Sequence, residues 1–69
     1  MNEEEKYTIK DKIEALNLLL NKAVKIAFEV EERIPYYMNA RTYAHKLRVM
    51  IENAAILSKN ILSEMKENL

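Results

Sequence analysis

Sixty-nine residues (8.1 kDa) with no Cys, no Gly, one Pro and a formal net charge of zero restrict the chain to one small domain. The missing Cys rules out a disulfide framework, a thiolate metal site and a thiol nucleophile, and the lone His rules out a multi-histidine centre within one chain. A hydrophobic share of 49% beside 32% charged residues is too apolar for a disordered tail and too charged for a membrane protein.

Taken in chain order, the first signals are acidic. Glu3, Glu4 and Glu5 are wrong for a signal peptide, and no long uncharged apolar run follows, so a soluble protein in a reducing, cytoplasmic setting is the expectation. Thr8 with Asp11 three residues later reads as a helix-starting capping box, which makes residues 1–7 an N-terminal extension. Helix one then spans 8–34. Its apolar residues Ile9, Ile13, Leu16, Leu20, Ala23, Ala27, Val30 and Ile34 alternate at spacings of four and three, the seam pattern of coiled-coil packing.

Pro35 lacks an N–H and keeps the residue before it out of the helical region, so 35–39 forms the hinge, with Asn39 suited to cap the next helix. Helix two spans 40–68 and repeats the alternation through Ala40, Tyr43, Leu47, Met50, Ala54, Leu57 and Ile61. Neither segment alternates with period two, which excludes strands. Folding back at the hinge sets Ala23 against Met50, Ala27 against Leu47 and Leu20 against Ala54, small residues meeting large ones. The expected fold is all-α: one antiparallel two-helix hairpin as a single domain over 1–69.

Apolar residues remain beyond that seam, among them Leu18, Leu19, Ile26 and Phe28 on helix one and Val49, Ile51, Ile56 and Leu62 on helix two. A helix apolar over most of its circumference has neighbours on more than one side. A short hairpin without disulfide or metal also needs added burial. Assembly into a four-helix bundle or larger helical homo-oligomer is therefore expected, with Leu18, Phe28, Val49, Ile51, Ile56 and Leu62 as the self-association or partner surface.

Candidate chemistry is sparse. Arg41, His45 and Arg48 share one face of helix two with Lys46 beside them, a stripe able to contact an anion or nucleic acid near the tyrosines of the hinge. Zero net charge disfavours that reading, because no broad positive field draws a polyanion in. Glu29, Glu31 and Glu32 also lie across the hinge to neutralise the stripe. The halves carry opposite small charges: six Lys/Arg against eight Asp/Glu in 1–34, and five against three in 35–69. The pairs Glu29/Glu32 and Glu64/Glu67 have metal-binding spacing but fall at opposite ends of the hairpin, so they build no shared site. His45 has neither an oxyanion loop nor a Glu-x-x-His partner pattern. The pattern thus reads as a non-enzymatic protein–protein interaction module without cofactor, metal or membrane. It would regulate, inhibit or scaffold a partner protein. A nucleic-acid-binding hairpin dimer is the alternative. Heavy use of Lys, Asn and Ile is compatible with an AT-rich source such as a phage or mobile element.

Overall fold

In a computed structural model the chain forms two α-helices, α1 over Glu3–Arg33 and α2 over Asn39–Glu67, packed against each other as a hairpin. Residues 2–67 are described, apart from the side chain of Lys6; the expected extension of helix two to residue 68 lies outside them. The described residues contain no strand. The hairpin is 53 Å long and 14 Å across between Cα atoms.

The start of α1 differs from expectation. Asn2, in extended backbone, is the cap: its Oδ1 accepts from the Glu5 N–H at 2.8 Å. Glu3, Glu4 and Glu5 then fill the first turn, where carboxylates meet the positive end of the helix dipole. Residues 3–7 are therefore helical rather than an extension. Thr8 lies inside the helix and donates from Oγ1 to the Glu4 carbonyl at 2.9 Å, the back-bonding open to a mid-helix hydroxyl.

Pro35 ends α1 as its chemistry requires. Ile34 turns extended (φ −81°, ψ 126°) while its N–H still bonds the Val30 carbonyl at 3.2 Å. The Met38 N–H closes a turn onto the Pro35 carbonyl at 3.1 Å, and the Arg41 N–H onto the Met38 carbonyl at 3.0 Å. Among the described residues none has positive φ, which is how a chain without Gly completes the reversal. Asn39 opens α2 as its first helical residue. The cross-helix contacts of Ile34 with Arg41 and of Glu31 with His45 keep the antiparallel register expected from the hinge.

The seam is where structure and sequence reading part. On α2 the seam moves one residue toward the C-terminus, with Ala54 alone of the expected positions still half-buried. Arg41, Ala44, Arg48, Ile51, Ala55, Ser58, Leu62 and Met65 are buried or half-buried. The expected core residues Tyr43, Met50 and Leu57 are instead 70%, 68% and 63% exposed, with Leu47 and Ile61 exposed beside them. One residue is about 100° of rotation. On α1 the shift is partial. Ile13, Leu20, Ala23, Ala27 and Ile34 stay inside, but Ile9, Leu16 and Val30 are exposed while Lys10, Asn17, Val24 and Glu31 are half-buried. The rotated seam places Ala44, Ala55 and Ser58 between the helices, so the backbones can approach closely. Ile13, Ala27 and Ala44 are the buried apolar residues, and no large side chain is fully buried among the described residues.

Candidate interaction surface

Rotation of α2 divides the hairpin into two unlike long faces. On one, α1 contributes Leu16, Leu19, Ile26 and Val30, while α2 contributes Leu47, Met50, Leu57 and Ile61, all exposed. Their spacings of three, seven and four keep each set on one side of its helix. Between the helices in the hinge half of this face lies a hollow of about 230 Å³, lined by Ala23, Ala27, Ala44, Val30, Leu47 and Ile51. The lining is almost wholly apolar because the alanines are too short to fill the space between their larger neighbours.

The opposite face is held by charge. The Arg48 Nε–H donates to Glu31 Oε1 at 2.8 Å and one terminal N–H to Glu52 Oε1 at 2.6 Å. The other terminal nitrogen lies 3.1 Å from His45 Nδ1, which is itself 3.1 Å from Glu31 Oε1. The guanidinium carbon also stands 4.4 Å from the centroid of the Phe28 ring, in cation–π range. Hydrogen bonding from Arg48 holds the Glu31 carboxyl below its ordinary value, with burial opposing and the Arg48 and His45 charges assisting. The same contacts, led by the hydrogen bond to Glu31, raise Arg48.

The basic stripe is thereby largely occupied. Arg48 has its side chain mostly covered and all three nitrogens in contact. Arg41 donates to the Ile34 carbonyl at 2.8 Å and lies 4.6 Å over the Tyr36 ring, so it closes the hinge. His45 is drawn into the Glu31 cluster, and Lys46 stands exposed outside it. The acidic neighbour foreseen across the hinge is Glu31, joined by Glu52 from the next turn of α2.

The expected association residues are scattered. Ile51 and Leu62 are half-buried in the intramolecular seam, Ile51 also lining the hollow. Phe28 sits under Arg48 on the charged face. Ile56 borders a shallow groove with Asn21, Val24, Lys25 and Glu52, and Val49 is exposed one heptad before it on the same side of α2. Leu18 projects from α1 next to Ala15 and Lys22, away from α2. Six of the eight residues named on the broad apolar face are ones that periodicity assigns to the core, and the other two, Leu19 and Ile26, are ones it leaves beyond the seam. A helix whose apolar arc serves two neighbours has its pattern centred between them, and this would have marked the face.

Among the described residues no group of three or more His, Cys, Asp or Glu side chains is placed to hold a metal ion. No helix among them is long and apolar enough to cross a membrane. Comparison of the chain with protein-family models, with curated proteins and with solved structures gives no match.

Proposed function

We propose that this chain is a non-enzymatic protein–protein interaction module that works as a helical homo-oligomer, its simplest form a dimer of hairpins closing a four-helix bundle. The observation that carries this reading is the exposed apolar face running along both helices, set against an interior in which no large side chain among the described residues is fully buried. Large contiguous apolar patches on a water-exposed surface mark sites of association. Chains this short rarely hold together on one thin seam. Once that face is covered, Val49 and Ile56 stay exposed on the other side of α2, where a partner protein to be regulated, inhibited or scaffolded would bind. The pairing of Arg48 with two carboxylates, and of Arg41 with a backbone carbonyl, speaks against the nucleic-acid alternative.

Light scattering after size exclusion at micromolar concentration tests the reading. The expected mass is twice 8.1 kDa for the parent and 8.1 kDa for a Leu47→Lys/Leu57→Lys variant, whose charges would be stranded in the covered face. A well-folded parent monomer would overturn it.

A further inference from the structure

The chain is neutral as a whole but not along its length. Residues 15–28 of α1 contain Lys22 and Lys25 and no carboxylate, and residues 46–63 of α2 contain Lys46, Arg48 and Lys59 against Glu52 alone. The groove joining Asn21, Val24 and Lys25 to Glu52, Ala55 and Ile56 sets these two stretches side by side. The hairpin therefore has a positive waist between acidic ends: on α1, Glu3, Glu4, Glu5 and Asp11 precede it, and Glu29 and Glu32 follow it. Arg48 already holds Glu31 and Glu52. Lys22, Lys25, Lys46 and Lys59 are exposed and have no carboxylate partner among the described residues. At ~1.5 Å per residue the waist is roughly 20–27 Å long. Its centre thus stands more than one Debye length (~8 Å in physiological salt) from the acidic ends, which are largely screened from a partner seated there.

Resting on the reading that a second copy covers the broad apolar face, we propose that the groove at this waist docks an amphipathic helix of a partner protein, its apolar stripe flanked by Asp or Glu. The floor suits a helix. Val24 and Ala55 are half-buried between α1 and α2, and the short Ala55 side chain lets a third backbone come close. Ile56 and Val49, one heptad apart and both exposed, extend the apolar contact along the same side of α2 for a stripe spaced three and four. The rim selects the charge. Lys25 stands on the α1 edge of the groove, and Lys22 lies beside it in the adjoining hollow with Leu18. Glu52, the one carboxylate in the lining, is taken by Arg48 at 2.6 Å. An acidic helix neutralises ammonium groups that the hairpin leaves unpaired, whereas a basic helix of the same shape meets like charge. A nucleic-acid strand fits less well, because no aromatic ring lines the groove to stack a base and the phosphates gain nothing from Val24, Ala55 and Ile56.

Two labelled synthetic helices test this, identical in their Leu stripe but flanked by Glu in one and by Lys in the other. Each is titrated with the full chain and followed by fluorescence anisotropy, with light scattering on the same samples. The Glu peptide is expected to bind at least about tenfold more tightly than the Lys peptide, and the preference to shrink as salt is raised. Ile56→Asn should weaken both peptides, and Lys22→Glu/Lys25→Glu should reverse the preference; both variants should keep a mass of twice 8.1 kDa. Equal affinities would overturn the proposal, and so would a Glu peptide indifferent to Ile56→Asn, which would seat it elsewhere. A single-stranded RNA that binds more tightly than the Glu peptide and displaces it would overturn the proposal in favour of a nucleic acid. No peptide binding by a chain of twice 8.1 kDa would overturn the groove and leave the dimer standing. The expected peptide results from a chain of 8.1 kDa would overturn the dimer and leave the groove standing.

Discussion

Replacing Ser58 by Ala should make the protein more stable. Ser58 is 3% exposed in the seam of α2, and its Oγ has no hydrogen-bond partner among the described residues. A buried hydroxyl left unsatisfied costs about 1–3 kcal/mol. Ala deletes that group and adds roughly 0.5 kcal/mol of helix propensity. Against this stands the space vacated by one oxygen, about 10–15 Å³, which at ~24 cal/mol per Å³ costs only ~0.3 kcal/mol. The balance favours the Ser58→Ala variant over the parent by at least about 1 kcal/mol, or roughly 4–8 °C in Tm for a domain of this size. Circular dichroism at one fixed protein concentration is the assay, because association makes Tm concentration-dependent. Ser58→Val is the counterpart: it also removes the hydroxyl but adds bulk between closely packed backbones, and should lower Tm. A Tm for Ser58→Ala at or below the parent's would refute the reasoning and show that the hydroxyl is satisfied.

Two further outcomes follow from the caps and charges. The Glu31 carboxyl is held below its ordinary value of 4.5, chiefly by the hydrogen bond from Arg48. A carboxyl depressed in the folded state contributes stability that is fully present above its unfolded value and lost as pH falls through the folded one. Acid titration of Tm should therefore show a shallower decline below about pH 4.5 for Glu31→Gln than for the parent; coincident acid limbs would remove Glu31 from the account. Asn2→Ala should weaken the first turn of α1 by about 1 kcal/mol, the usual effect of a lost N-cap. This reads out as faster amide exchange at Glu5, and unchanged exchange there would show that the cap contributes nothing.

The fold was legible because its signals are local. Heptad spacing on both sides of one proline dictates two antiparallel helices and the place where they meet, and the structure has them there. The start of α1 was less so, since Asn2 with Glu5 and Thr8 with Asp11 carry similar capping signatures and only tertiary context selects between them. Rotation about the helix axis was not legible. Periodicity locates the middle of an apolar arc, and on α2 that arc runs from Ala44 and Ile51 round to Met50 and Leu57, wider than one neighbour can cover. The centre of the arc is not the hairpin seam, because an edge of it, bordered by Arg48, packs against α1. A reading that treats charged residues as solvated surface gives Glu31 only a neutralising role. Its position across the hairpin from Arg48, with Glu52 one turn along α2, is the clue to the contact.

The guanidinium of Arg48 also bears on how one arrangement is selected from two. Rotating α2 back by a single residue would set Leu47, Met50 and Leu57 against α1, so hydrophobic burial within the hairpin does not oppose it. The same rotation would carry Arg48 off Glu31 and away from the Phe28 ring, stranding a carboxylate and a guanidinium that now satisfy each other. Apolar residues thus lie on both candidate seams of the helix, and the polar contacts of Arg48 belong to only one of them. A few charged atoms at one edge of the hairpin thus determine which side of it stays sticky.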